Sequence, residues 1–488
     1  MTTWIRTELI KNNAQSFLIV MLIITLCALA GILGRPLSFL AIFWPANAVL
    51  LGLFLRFSYL NNLGGWLGAF SGYMLADLGT GNTLQLAWLL TLANLLNPLV
   101  TLYLLNRLKI NYQEFNKGLT FVYLFLISAF GGCLASPTFA ILTIPYVPNS
   151  FMELGRIWVD FGMWWSGEIL NFVAFLPIVL ALPSKTTVQQ YFVNQKNQRL
   201  SLPLVLPFVF VVVSVILTHF FIGPGAIMFP IGALIWAALT YNLLLVAIIN
   251  CFVCMFLYNS LSAYYLTESP EAFISTTLSV RIGLFMLALG PLTLSIISLN
   301  RQKLYHQILY LANHDSLTTT MNRRYFYEES EKTIDSTHRE AKSNIHSVSI
   351  LLLDIDHFKK INDQYGHEIG DIVLKDFSNI VRSQIRSNDL FGRVGGEEFA
   401  LLIKDSNLPA CIEIAQRICD RVAETPIMIR QNQHLNISVS IGLSYQQLPS
   451  GTPFQQLINR ADVALYQAKS EGRNRLCVDP QLLFTQTS

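Results

Sequence analysis

The sequence predicts a chain in two parts, a multi-pass α-helical membrane domain followed by an α+β domain. Three observations carry this reading. The 488 residues are 53% hydrophobic and only 13% charged, with a mean hydropathy of +0.46. About two thirds of the Asp, Glu, Lys and Arg residues lie beyond residue 300, in well under half of the length. Past that point long apolar spans give way to short alternating segments with turn residues between them. The shift divides the chain into a membrane domain over 1–299, a linker helix over 300–314 and a second domain over 315–488.

The first part contains about ten apolar spans of near-bilayer length, over 16–33, 37–55, 62–78, 84–105, 119–142, 161–182, 203–221, 226–240, 243–262 and 277–299. Several are short or interrupted by proline, which leaves eight as the alternative count. The first span is too long, and too closely followed by others, for a cleaved signal peptide. Arg6, Lys11, Arg56, Arg107, Lys109, Lys117, Lys185, Lys196, Arg199, Arg301 and Lys303 fall on alternate loops, whereas Glu153, Glu268 and Glu271 fall on the others. Arg35 and Arg156 depart from this pattern. The positive-inside rule then puts both termini in the cytoplasm. Asp77, Asp160, Glu168 and Arg281 lie in or beside spans near the outer side, with Asn94 and Asn97 as further polar groups. They either line a ligand pocket open to the outside or sit at the interface in water. Cys251 and Cys254 lie inside an apolar span and read as packing. The seven cysteines give no zinc or disulfide pattern.

Residues 296–312 carry Ile297, Leu304, Ile308 and Leu311 at helical spacing. This is either a self-associating signalling helix or a stiff linker. Beyond it, strand 346–354, helices near 357–365 and 368–386, hairpin 389–403, helix 407–424, strand 435–445 and helix 454–470 alternate as an α+β sheet domain. Val348 to Leu353 reads as a buried central strand, and Asp354 stands at its carboxyl end, where ligands bind in open sheets. The hairpin turns at Gly395-Gly396-Glu397-Glu398, where glycine provides positive φ and room for an anion. If hairpin and strand are neighbours, Asp354, the Ile355 carbonyl and Glu397 converge as oxygen ligands suited to Mg²⁺, with Mn²⁺ as an alternative.

The order of these motifs resembles the GGDEF family of diguanylate cyclases. Asp315-Ser316-Leu317-Thr318 precedes Asn322-Arg323-Arg324, then come Asp354-Ile355-Asp356-His357-Phe358-Lys359 and Asn362-Asp363. Gly366-His367 and Gly370-Asp371 lead to the Gly-Gly-Glu-Glu-Phe turn. Ala461-Asp462-Val463-Ala464-Leu465-Tyr466-Gln467-Ala468-Lys469 and Gly472-Arg473-Asn474-Arg475 close the run. The resemblance covers roughly the last third of the chain. It implies a ferredoxin-like, nucleotide-cyclase-like palm and an enzyme that joins two GTP into cyclic di-GMP with release of two pyrophosphates, working as a homodimer. It assigns Glu397, Lys359 and Glu398 to catalysis, Glu397 with a double role as metal ligand and base. Asn362 and Asp371 are implied in guanine selection, and His367 in substrate contact. Lys469 and Arg473, expected at i and i+4 of one helix, would hold the β and γ phosphates. Arg386 and Asp389 match an Arg-x-x-Asp at which product binds and inhibits, with Arg417 as a helper. Thr319 and Thr320 depart from the family, which usually has Gly-Leu there.

Phe43-Trp44-Pro45-Ala46-Asn47 and Leu63-Gly64-Gly65-Trp66-Leu67-Gly68-Ala69-Phe70 are similar to membrane-associated sensor (MASE-type) domains of bacterial signalling proteins. The expected setting is therefore the bacterial inner membrane, with an unknown sensed ligand and the lipid bilayer as partners. No basic and aromatic surface points to nucleic acid. Two other classes stand beside the enzyme. A cyclic di-GMP or GTP receptor would lack residues such as Asp354, Lys359, Glu397, Glu398 and Lys469, which are present. A transporter would call for paired broken helices, which the sequence does not display.

Overall fold

A computed structural model describes residues 2–34, 43–112, 115, 119–148, 150–183, 201–221, 224–265, 270–340, 346–430, 433–448 and 452–481. Arg35, Lys117, Lys185, Lys196, Arg199 and Glu268, which entered the loop-charge argument, lie outside the described residues. The chain forms two units, Met1–Lys303 and Leu304–Ser488.

The first unit is helical. Its elements are α1 (Thr2–Leu33), α2 (Pro45–Arg56), α3 (Leu63–Gly79), α4 (Leu84–Arg107), α5 (Thr120–Ile127), α6 (Cys133–Thr143), α7 (Ile157–Leu180), α8 (Leu202–Phe220), α9 (Ile231–Thr240), α10 (Leu243–Tyr265) and α11 (Pro270–Asn313). A π-helical turn, Ser128–Gly132, joins α5 and α6. Each expected span overlaps a helix or this joined pair within the described residues; residues 37–42 of the second span lie outside them, and the apolar helices at the second and eighth spans, Pro45–Arg56 and Gly225–Thr240, are short. Seven stretches among the described residues are long and apolar enough to cross a membrane. α1 and α3 touch backbone to backbone, and Gly64, Gly68 and Gly72 make this geometry possible. A Cβ at each would collide with the main chain of Asn13, Phe17 and Met21 in turn. Small residues four apart on one face are the usual device for such close helix contact.

The tenth expected span and the linker are one element. α11 runs for 44 residues, through Pro291, to Asn313. The two expected ranges overlapped and no glycine separates them, so nothing stops the helix. Leu304, Ile308 and Leu311 are exposed along its last turns.

The second unit is built on a six-stranded sheet in the order β1-β3-β4-β2-β7-β8. The strands are β1 (Met321–Asn322), β2 (His346–Ile355), β3 (Leu390–Arg393), β4 (Glu398–Lys404), β7 (Val439–Leu448) and β8 (Leu476–Val478). β5 (Ile427–Arg430) and β6 (Gln433–Leu435) form a separate small hairpin that the sequence reading did not foresee. The helices are α12 (Arg323–Glu340), α13 (Phe358–Tyr365), α14 (His367–Gln384), α15 (Leu408–Glu424) and α16 (Phe454–Ser470).

Strand β2 is central and buried on both faces, which explains its unbroken apolar run. Leu351, Leu353 and Ile355 pack with Val373, Phe377, Ile414 and Ile418 of α14 and α15. Val348, Ile350 and Leu352 pack with Phe326 of α12 and Leu457, Ile458 and Ala461 of α16. Strand period two puts Asp354 on the same face as Ile350 and Leu352, the face that α16 covers. Gly442 of β7 lets α16 lie directly on the sheet, since a Cβ there would meet the Ala461 carbonyl and the Leu465 amide.

Candidate active site

Asp354 is buried at the carboxyl end of β2. Antiparallel pairing sets it opposite Glu398 of β4 on one side and Ser440 of β7 on the other. Directly opposed residues share a face of the sheet, so Asp354 and Glu398 stand on the same face. The backbone amide of Ile355 donates to the Glu397 carbonyl at 3.4 Å. Strand and turn are therefore neighbours, as the sequence required. From α16, Lys469 Nζ reaches Asp354 Oδ2 at 2.6 Å.

The electrostatics follow from this crowding. Burial pushes the Asp354 carboxyl above its ordinary range, Lys469 opposes the shift, the nearby Asp356 adds to it and Arg473 draws it back. Burial likewise raises Glu397, with Asp354 and Glu398 raising it further and Lys469 lowering it. A buried carboxylate and a second one whose ionisation it hinders, beside a backbone carbonyl, make a fitting seat for a hard divalent cation, which needs few protein oxygens. Among the described residues no group of three or more His, Cys, Asp or Glu side chains is placed to hold a metal ion by itself.

The turn itself works differently from expectation. Neither Gly395 nor Gly396 has positive φ. A Cβ on Gly395 would strike the Glu398 side chain, and the space beside Gly396 is open, so these glycines supply room. Arg393 braces the turn by donating Nε and Nη2 to the Gly396 carbonyl at 3.1 and 2.7 Å. Its Nη1 pairs with Asp315 Oδ1 at 3.2 Å. Asp315 also accepts from the Thr318 amide and hydroxyl, and these bonds together with Arg393 hold its carboxyl below the usual range despite burial.

A second correction concerns Arg473. α16 ends at Ser470, and Gly472, Arg473 and Asn474 follow with φ of 115°, 65° and 48°. Lys469 is helical, and Arg473 stands on a left-handed loop beyond the helix. Asp356, which sequence reasoning gave no role of its own, anchors this loop. Its buried carboxylate accepts from Ser438 Oγ and Ser440 Oγ at 2.7 Å each and from the Asn474 amide at 3.0 Å. The only sequence signal was its place in the Asp-x-Asp run, because the partners are remote along the chain.

Asn362 of α13 has its Oδ1 buried and unpaired, pressed against Gly370 of α14, where a Cβ would overlap it. Asp371 follows directly. Asp371, His367 at the start of α14 and Lys359 in the first turn of α13 are exposed. Arg386 and Asp389 lie just after α14. Asp389 Oδ2 accepts from the Arg386 amide at 2.8 Å, which leaves the exposed guanidinium clear of that bond. Arg417 Nη2 donates to the Gln384 carbonyl at 2.7 Å.

In the helical unit the expected outer charges separate into groups. Glu168, buried on α7, accepts from Asn47 Nδ2 at 2.6 Å, Asn97 Nδ2 at 2.9 Å and Trp164 Nε1 at 3.3 Å. Asn47 also donates to Asn94 Oδ1 and accepts from the Tyr73 hydroxyl. Arg281 of α11 instead donates to the Met163 carbonyl at 2.6 Å and to the Tyr258 hydroxyl. Asp77 accepts from Asn82 Nδ2, and Asp160 is half-buried near the start of α7.

Residues 312–475 match the family model described as diguanylate cyclase, GGDEF domain. The chain is 30% identical over 323 residues to the probable diguanylate cyclase DgcF of Escherichia coli K12, covering 64% of this chain and 95% of that one. The corresponding protein of Escherichia coli O157:H7 is 28% identical over 479 residues, 96% of this chain and 94% of the relative, so that likeness includes the helical unit. A crystal structure of the GGDEF domain of DgcB from Caulobacter crescentus, in complex with c-di-GMP, is 29% identical, covers 34% of this chain and 96% of its own, and superposes with a TM-score of 0.32. The chain belongs to the GGDEF family of diguanylate cyclases.

Proposed function

We propose that this protein is a membrane-embedded cyclase that condenses two GTP into cyclic di-GMP at the end of β2, regulated by its helical unit and by its own product. The observation that carries the proposal is the meeting of Asp354, the Glu397 turn and Lys469 at one sheet end. In this reading Asp354, the Ile355 carbonyl and Glu397 would hold Mg²⁺, which would supply positive charge to neutralise the phosphates. Lys469 and Arg473 grip the outer phosphates, and Lys359 adds a point charge as negative charge grows. Asn362 and Asp371 serve guanine selection, the Asp371 carboxylate accepting from the guanine N1–H and 2-amino group, donors that the adenine edge lacks. His367 contacts substrate. The 3′-hydroxyl of one nucleotide loses its proton to a base, Glu397, and attacks the α-phosphate of the other, and pyrophosphate leaves. The same step in the opposite sense closes the ring, so two domains must face each other.

The exposed Leu304, Ile308 and Leu311 stripe suits pairing of two α11 helices in a homodimer. The seven long apolar helices support residence in the bacterial inner membrane, with the cyclase unit on the cytoplasmic side where GTP is found. Arg386 and Asp389 supply the product site, and Arg386→Ala should therefore leave initial rates intact while removing the slowdown as product accumulates.

The test is incubation of the purified full chain with Mg²⁺ and either GTP or ATP. Two pyrophosphates per cyclic di-GMP from GTP, with no turnover of ATP, is the expected result. GTP binding without turnover would contradict it.

A further inference from the structure

We infer that the helical unit contains a binding site for a small monovalent cation, Na⁺, at the crossing of α4, the π-helical turn and α7. The inference goes beyond the cyclase reading and does not depend on it. Glu168 is buried, and all three of its partners are neutral N–H donors. Among the described residues no ion pair joins it to a lysine or arginine. A buried carboxylate without a countercharge is costly and is ordinarily matched by one.

Beside it lie oxygens with nothing to do. Asn97, whose amide nitrogen is bonded to Glu168 Oε2, has its Oδ1 buried without a partner, and so has the Thr101 hydroxyl one turn further along α4. A helical threonine ordinarily returns its hydroxyl to the carbonyl four residues back, here that of Asn97, and Thr101 does not. These oxygens converge. A Cβ on Gly132 would collide with Thr101 Oγ1, the Asn97 carbonyl and Asn97 Oδ1 together. Gly132 closes the π-helical turn, a distortion often found at functional positions. Ser136, in the first turn of α6, also has a buried, unpaired hydroxyl. On α4, Pro98 has no N–H to give the Asn94 carbonyl, which removes one more helical bond from this region.

Neutral amide, hydroxyl and carbonyl oxygens next to one carboxylate are hard ligands. A single positive charge balances Glu168, whereas a divalent ion would leave a net charge buried.

The experiment is the melting temperature of the purified full chain in NaCl against choline chloride at equal ionic strength and constant pH. Sodium should raise the wild-type value by at least about 2–4 °C with a saturating dependence. Thr101→Val, which keeps shape and removes one ligand, should shift half-saturation about tenfold higher. Glu168→Gln should abolish the response, and if that variant does not fold the Thr101→Val result decides. Equal melting in sodium and choline, a response to pH alone, or a sodium effect undiminished in the folded variants would overturn the site. No turnover is measured, so a failed cyclase assay would leave this result unaffected.

Discussion

Thr319 occupies the left-handed region with φ of 57°, where the family usually has glycine. A β-branched residue there costs about 1–2 kcal/mol, offset in part by the bond that Arg382 Nη1 makes to its hydroxyl at 3.0 Å. Asparagine tolerates this conformation, so Thr319→Asn should stabilise the protein by about 0.5–1 kcal/mol, read as a higher melting temperature. Asp356 gives the opposite case. Asp356→Asn weakens three bonds at a buried carboxylate and should cost about 1.5–3 kcal/mol, with a higher KM for GTP as the Arg473 loop loosens. Glu397 links stability to pH. The folded state binds the Asp354 and Glu397 protons more tightly than the unfolded chain does, because both carboxyls are raised. The stabilisation this gives is complete below the unfolded values and is lost as pH rises through the folded ones. Glu397→Gln should therefore melt higher than wild type at neutral pH without Mg²⁺, and the gap should close as pH falls through the carboxylate range. An equal gap at all pH values would contradict the assigned charge crowding.

At the scale of elements, Gly442 fixes how α16 meets the sheet and so where Lys469 points. Gly442→Ala should destabilise by about 1–3 kcal/mol through overpacking and lower turnover along with it, checked by melting and by product formation. This level also shows what the sequence could reveal. The apolar run of β2, the hairpin and the Asp354–Glu397 approach were legible because strand burial and tight turns leave local patterns. Arg473 was misread as helical although Gly472, just past Ser470, is the common stop signal for a helix. The β5–β6 hairpin was missed because its strands are only four and three residues long. Asp356 could not be interpreted because Ser438, Ser440 and Asn474 approach it only through the sheet order. The continuity of α11 was half visible, since overlapping span and linker ranges had no breaker between them.

For the whole molecule, α11 provides one uninterrupted helix from the apolar unit into the start of the cyclase unit. A residue inserted after Lys303 rotates everything beyond it by about 100°. If α11 transmits the state of the helical unit, cyclic di-GMP output of the full chain should change severalfold with that insertion and recover when a full turn is inserted instead. Output unchanged by the single insertion would mean that α11 acts only as a tether.

The most direct test of the central claim, that Asp354, Glu397 and Lys469 form one metal–phosphate site, is the steady-state rate of cyclic di-GMP formation by full-length Asp354→Asn and Lys469→Met at saturating GTP and Mg²⁺. Each should fall by about 10²–10³-fold or more while the protein still melts cooperatively. A folded Asp354→Asn variant with wild-type turnover would contradict the account.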